Sequence, residues 1–309
     1  MQLALKNPRI GIAAPAGPPL DGRRLAQGLR NLEAQGLTLI RPRETYPTHG
    51  FLAGDDCARL EEFNALIARP DLDVILCVRG GYGALRLLDG LDYETAKRYP
   101  KVLVGYSDIT ALQLALHRRA GWPGLSGAMA AVEWPEPDDR WLEPYARLLR
   151  GETEVSLGPV DGSVPVPVVD GQAEAPLIGG NLATMTRLVG TPYMPNLAGS
   201  ILFLEDVGEL PYRIDALLAQ LRLAGHLDNL AGAVLGQFTD AESPADRPSF
   251  TVEEVLDHYF RGAPYPVVRN WNYGHFPLKA PLPIGPRARL TVREGGASLT
   301  TLEPLLPSL

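Results

Sequence analysis

Short continuous apolar runs alternate with stretches of helical period through the first half of the chain. Ile10-Gly11-Ile12-Ala13-Ala14 reads as a buried strand, broken by Pro15-Ala16-Gly17-Pro18. Asp21 is placed to cap a helix running to about Gln35, with Leu25, Leu29 and Leu32 on one face. Leu37 to Ile40 gives a second strand, and a helix from about Asp55 to Arg69 puts Leu60, Phe63, Leu66 and Ile67 together. Asp73-Val74-Ile75-Leu76-Cys77-Val78 has the unbroken apolar character of a strand covered on both faces in a parallel sheet. Val102-Leu103-Val104 repeats it and feeds directly into a helix from Asp108 to Arg119, closed by Gly121. Strands alternating with helices predict βαβ units with right-handed crossovers.

From Gly151 to Gly171 the pattern changes. VSLGPVDGSVPVPVVDG is rich in Pro, Gly and Val and lacks a helical period, as in a connection between domains, with pairing as an edge strand open to it. Beyond it the chain predicts helices at Leu182 to Val189, at Arg213 to Leu223 and from Thr251, the last opened by a Thr251/Glu254 capping box. Strands are expected at Ser200 to Leu204, Ala233 to Leu235, Arg289 to Val292 and Ser298 to Leu302. The expected division is 1–150, a connection at 151–172, and 173–309.

Composition narrows the functional classes. An apolar share of 45% and a charged share of 21% describe an ordinary globular protein. A net charge of −7 argues against nucleic acid as a partner, because such binding needs a basic face. Cys57 and Cys77 are the only cysteines, too few for a disulfide framework or a cysteine-rich metal site. The opening MQLALKNPRI is too short and polar for a secretory signal. No apolar run approaches the roughly 18 residues that span a bilayer. A reducing, cytoplasmic setting without a membrane partner is the expectation.

Several mechanisms fall away for want of their motifs. The chain has no phosphate-binding G-x-x-x-x-G-K-[ST] loop, no H-E-x-x-H helix and no S-x-x-K pair. Gly81-Tyr82-Gly83 lacks the third glycine of a dinucleotide fingerprint, since Arg86 stands there. What remains is Gly105-Tyr106-Ser107-Asp108 between a strand and a helix. A serine on such a turn is lifted from the sheet, and the N–H of Asp108 points from the helix N-terminus at any oxyanion above it. Ser107 as a plain helix cap fits equally well, because Ile109 replaces the second glycine of the usual elbow.

Among five histidines, His275 in the loop Asn272-Tyr273-Gly274-His275-Phe276-Pro277 is the preferred base, with His49 as the alternative. His117, His226 and His258 have structural contexts. The strand Ser200 to Leu204 ends in Glu205 and Asp206, carboxylates where open α/β sheets bind ligands, and Glu209 competes with them for the orienting role. Arg79-Gly80-Gly81-Tyr82-Gly83 follows a buried strand. It is either a tight turn or a place where Gly81 offers a second oxyanion donor.

Taken together, CVRGGYGALRLLDGLD, LVGYSDITAL, LIGGNLATM, SILFLEDVGELPYRID and the Gly-His of NYGHFPLKAPLPIG occur in an order that resembles the LD-carboxypeptidase family, which also includes the microcin C self-immunity peptidases. The resemblance implies an α/β architecture: an N-terminal Rossmann-like parallel-sheet domain with the serine, a smaller, mostly β C-terminal domain with the acid and histidine, and a site in the cleft between them. It implies Ser107 as nucleophile, His275 as base, Glu205 as orienting acid, and the N–H groups of Asp108 and Gly81 as oxyanion donors. No metal or organic cofactor is implied.

The reaction implied is release of terminal D-alanine from cytoplasmic muropeptide tetrapeptides, as in wall recycling. Recognition of a free carboxylate calls for an arginine near the cleft, and Arg79 and Arg213 are the candidates. A homodimer is an open expectation. Two alternatives stand beside this one. One is a microcin C-type immunity peptidase acting on a peptide-nucleotide antibiotic, for which Trp134, Trp141 and Trp271 offer aromatic surface. The other is a two-domain ligand-binding protein without chemistry.

Overall fold

In the computed structural model, which describes residues 3, 5–6, 9–244, 246 and 248–305, the apolar runs of the first half become the centre of a six-stranded sheet. The elements alternate along the chain as β1 (Arg9–Ala13), α1 (Gly22–Ala34), β2 (Thr38–Ile40), α2 (Asp56–Ile67), β3 (Val74–Cys77), α3 (Tyr93–Arg98), β4 (Val102–Val104), α4 (Thr110–Ala120), β5 (Gly124–Ser126) and α5 (Asp139–Leu149). β2, β1, β3, β4 and β5 lie side by side in that order, all parallel. β3 and β4 are buried at every position, which explains why they read as unbroken apolar runs. Strand order reverses between β1 and β3, the kind of point where open α/β sheets bind ligands.

The predicted cap at Asp21 operates, accepting from the N–H of Arg23 at the start of α1, and Asp55, expected as the first residue of its helix, caps α2 by accepting from the N–H of Ala58. Gly121 closes α4 in the left-handed region at φ 72°. A 3₁₀ turn, Ser107–Ile109, precedes α4, so the predicted helix begins as a tighter coil. In this half α3, β5, α5 and a 3₁₀ segment escaped the sequence reading. α5 carries Trp141, Leu142, Tyr145, Leu148 and Leu149 into the core, and the 3₁₀ segment covers Ala84–Gly90.

The remaining elements are β6 (Val166–Val169), β7 (Gly171–Asn181), α6 (Leu182–Thr186), β8 (Ile201–Val207), α7 (Pro211–Leu223), β9 (Gly232–Thr239), α8 (Val252–Phe260), β10 (Val267–Arg269), β11 (Leu282–Ile284), β12 (Arg287–Arg293) and β13 (Gly296–Thr301). Seven of these strands form a second sheet in the order β13-β12-β7-β8-β9-β10-β6. Its middle, β7 to β10, is parallel, and its flanks are antiparallel. The Pro/Gly/Val-rich connection therefore supplies an edge strand, β6, against β10. The predicted helix at Leu182 to Val189 is helical only to Thr186. The Thr251/Glu254 capping box forms with both hydrogen bonds, at 3.2 and 2.8 Å.

The two sheets are not separate along the chain. β11 leaves the second half and pairs antiparallel with β5, completing the first sheet. Among the described residues no helix is long and apolar enough to cross a membrane.

Candidate active site

Ser107 follows β4 and opens the turn into α4 with φ 65°, a left-handed conformation that costs a non-glycine residue about 1 kcal/mol or more. The elbow is tied from beneath. Gln113 Nε2 lies 3.0–3.2 Å from the carbonyls of Leu103, Gly105 and Leu125. The Asp108 side chain is buried and accepts from the N–H of Ala84 at 2.8 Å. Burial pushes its carboxyl up to about 6.

The loops after β1 and β3 clasp each other beside this elbow. Gly17 donates its N–H to the carbonyl of Gly80 at 3.1 Å. A Cβ on Gly80 would stand 2.8 Å from Ser107 Cβ, so only glycine allows this approach. Gly81 has φ 116° and lies against Gly17. Arg79 is half-buried, and its Nη1 donates to the carbonyl of Pro18 at 3.1 Å. Burial lowers its pKa, and no carboxylate among the described residues forms an ion pair with it.

The acid side is built on β7, β8 and β9. Glu205 is wholly buried, and its Oε2 lies 2.6 Å from His275 Nδ1. Its Oε1 accepts from Asn181 Nδ2 at 3.3 Å. Gly236 on β9 makes room: a Cβ there would lie 2.4 Å from the Tyr273 carbonyl and 3.3 Å from Glu205 Cβ. Consecutive strand residues ordinarily face opposite ways, but the β8–β9 register shifts between Leu204 and Asp206, and both carboxylates are buried. Asp206 has a different task. It accepts from the N–H groups of Ala183 and Val207 and from Asn181 Nδ2, all at 2.8–2.9 Å, holding the start of α6. Burial, then the charge of Glu205, pushes its carboxyl up to about 6.

Of the three acids considered, the structure therefore brings Glu205 to His275. Glu209 instead faces Arg213 at 3.7 Å, an ion pair at the first turn of α7, where Arg213 is exposed and also stacks on Tyr212. His49 sits exposed in the tight turn 49–52. His117 is held by the Trp122 carbonyl at 3.2 Å, and burial lowers its pKa.

Tyr106 joins the halves. Its ring meets the His275 ring edge-to-face with centroids 5.2 Å apart. A cavity of about 460 Å³ opens beside them, lined by Tyr106, Glu133, Trp141 and His275, with Arg24 and Arg140 also contributing to its wall. Trp134 and Trp271 are 0% exposed, and Trp141, on the cavity wall, 3%, so little indole surface is open to a nucleobase. Sequence reasoning missed Asn181, Tyr106, Glu133 and Lys279, although Asn181 follows two glycines at a strand end and Tyr106 adjoins the serine.

Known proteins share this framework. Models of the LD-carboxypeptidase N-terminal and C-terminal domains match residues 10–127 and 174–290. A probable murein peptide carboxypeptidase of Bacillus subtilis is 34% identical over 295 residues, covering 94% of this chain and 90% of its own. A murein tetrapeptide carboxypeptidase of Pseudomonas aeruginosa is 33% identical, covering 91 and 92%. The crystal structure of a muramoyltetrapeptide carboxypeptidase from Oxalobacter formigenes superposes with a TM-score of 0.80 at 28% identity, covering 96 and 99%.

Proposed function

This chain belongs to the LD-carboxypeptidase family, and from that premise we propose that it is a cytoplasmic serine peptidase releasing D-alanine from muropeptide tetrapeptides. The observation that carries the serine mechanism is the buried 2.6 Å contact between Glu205 and His275, whose ring packs on the residue preceding a left-handed serine. The named activities of the Bacillus and Pseudomonas relatives support the substrate class.

In this scheme Ser107 Oγ attacks the carbonyl carbon of the third substrate residue while His275 takes the hydroxyl proton. The N–H groups of Asp108 and Gly81 receive the negative charge that forms on the carbonyl oxygen. His275 then gives its proton to the departing D-alanine nitrogen as the C–N bond breaks. Water, activated by the same imidazole, hydrolyses the acyl-enzyme. Glu205 fixes the tautomer that carries the proton on Nδ1 and stabilises the imidazolium. Arg79, cationic and without an acid partner beside the Gly80-Gly81 loop, is the group we assign to the terminal carboxylate of the substrate.

Mass spectrometry of a muropeptide tetrapeptide incubated with the enzyme is the test. Loss of one D-alanine is expected with the wild type, with at least a thousandfold slower release by Ser107→Ala. Covalent labelling by a fluorophosphonate should map to Ser107. Normal turnover by the alanine variant would overturn the scheme.

A further inference from the structure

Beside the reacting groups lies a buried charge pair with no part in the scheme above. Lys279 is 3% exposed and Glu133 6%. Lys279 Nζ donates to Glu133 Oε1 at 2.5 Å and to the carbonyl of Phe276 at 2.9 Å. The same ammonium stands 4.2 Å from the centre of the Tyr106 ring. Tyr106 Oη donates to Glu133 Oε1 at 2.9 Å, and Glu133 Oε2 accepts from the N–H of Met129 at 2.9 Å. Phe276 is the residue after His275, and Tyr106 is the residue before Ser107. One cation thus holds the immediate neighbours of both groups.

Stability alone is a poor reason to keep this arrangement. Burying an ion pair costs desolvation of both charges, and apolar residues of similar volume often stabilise a fold as well or better. What the pair supplies and apolar residues do not is direction. The ammonium offers several donors from one point, and here two of its contacts lie on the loop of the base and on the elbow of the nucleophile. The Glu133 carboxylate fixes that point through its own bonds to Met129 and Tyr106.

We propose that Lys279, aligned by Glu133, is a positioning residue for the hydrolysis, setting the separation between His275 and Ser107. Its seat on the Tyr106 face presses that ring against His275, and its bond to the Phe276 carbonyl limits the travel of the base's loop. This proposal rests on the serine-peptidase reading, and the experiment separates the two.

Lys279→Met alone leaves Glu133 buried without its partner and so threatens the fold. The informative protein is the double variant Lys279→Met/Glu133→Gln, which removes both charges and keeps an acceptor for the Met129 N–H, with its NH₂ toward a Tyr106 hydroxyl that can turn to accept. We expect it to fold with a thermal midpoint near that of the wild type. Its kcat should fall 30- to 100-fold with KM within about threefold, and fluorophosphonate labelling at Ser107 should slow to the same degree. Lys279→Arg should recover part of the labelling rate, since it restores a cation. Failure of the wild type to be labelled at Ser107 would overturn the serine-peptidase reading itself. A wild type that is labelled, together with a folded double variant labelled within threefold of its rate, would overturn the positioning role and leave the peptidase reading standing. A double variant that unfolds while Lys279→Arg and Glu133→Gln both stay folded and fully active would also overturn it, because the pair would then serve stability alone.

Discussion

Replacing Glu205 by glutamine asks what the imidazole draws from its carboxylate, since shape is conserved and only charge and one acceptor are lost. Oε2 lies 2.6 Å from His275 Nδ1 and Oε1 lies 3.3 Å from Asn181 Nδ2. The Asn181 amide cannot turn over, because its Oδ1 accepts from both the N–H and the hydroxyl of Thr184 while its Nδ2 also serves Asp206. A glutamine has two orientations there. With its oxygen on His275, two NH₂ groups face each other in a buried space, at a cost of about 1–3 kcal/mol. With its NH₂ on His275, Nδ1 becomes an acceptor, the proton moves to Nε2, and Nε2 can no longer take the proton of Ser107.

The second orientation avoids the clash and so prevails, trapping the histidine in the wrong tautomer. The loss of negative charge beside the forming imidazolium adds to this. The two effects together predict a kcat lower by roughly 10³–10⁴, about 4–5.5 kcal/mol of barrier, with KM within about threefold. Release of D-alanine from a tetrapeptide, read by a coupled D-amino-acid oxidase, measures it. Glu209→Gln is the matched control. It removes only a 3.7 Å surface pair with Arg213, and activity should stay within about twofold. A Glu205→Gln enzyme within tenfold of the wild type, or a crippled Glu209→Gln, would refute the reasoning.

Other substitutions reach other parts of the site. At φ 65°, Ser107→Gly should be more stable than Ser107→Ala by about 1 kcal/mol in urea unfolding, with both inactive, and equal stabilities would show that the elbow is relaxed. Arg79→Gln should raise KM for a free-carboxylate tetrapeptide about tenfold or more while leaving a C-terminally amidated peptide, already poor for the wild type, unaffected. An equal effect on both peptides would remove Arg79 from the carboxylate. Burial raises the carboxyl of Asp206 to about 6, above its unfolded value, so the folded chain takes up this proton first. The cost of the buried charge is therefore fully present above pH 6 and is relieved as pH falls from about 6 to 4. Relative to Asp206→Asn, the wild type should gain about 1 kcal/mol in urea unfolding between pH 7.5 and 5.0, and a loss over that range would contradict the sign.

Local patterns made β3, β4 and the capped helices readable, because parallel strands covered on both faces must be apolar throughout and caps need particular side chains. β10 and β11 have three residues each and carry no period. α5 presents Trp141, Tyr145 and Leu148 at helical spacing, but Pro144 within it reads as a break. In the site, a serine between strand and helix was visible as a candidate, whereas its positive φ is a property of backbone packing. The choice among Glu205, Asp206 and Glu209 was open because two of them end one strand. Contacts from Asn181, Ala183 and His275, 23 or more residues away, separate their tasks. Lys279 in a proline-flanked loop reads as a solvated side chain, and its burial depends on Glu133, 146 residues earlier.

The groups assigned to nucleophile and base sit on different sheets, which would place the chemistry at the mercy of any motion between them. The contacts oppose such motion. The His275 loop is pinned to β9 by the bond from the Gln237 N–H to the Tyr273 carbonyl, at 2.8 Å, and a few residues later the chain enters the first sheet as β11. Within the loop, the Tyr273 hydroxyl meets Ser126 Oγ on β5 at 2.5 Å, both atoms buried. On the nucleophile's side, the Asn181 N–H donates to Thr110 Oγ1 at 3.2 Å, and Gly180 lies so close to Thr110 that a Cβ would approach within 2.5 Å. Each sheet is thus stitched to the other at residues adjoining the reacting groups. A rigid joint of this kind suits a reaction whose atoms must meet within tenths of an ångström, since reacting geometry held in advance lowers the barrier without a closing step. Adaptation to the substrate then falls to the loops that carry no catalytic group. Those are the segment around Gly17 and the wall of the cavity from Val132 to Trp141.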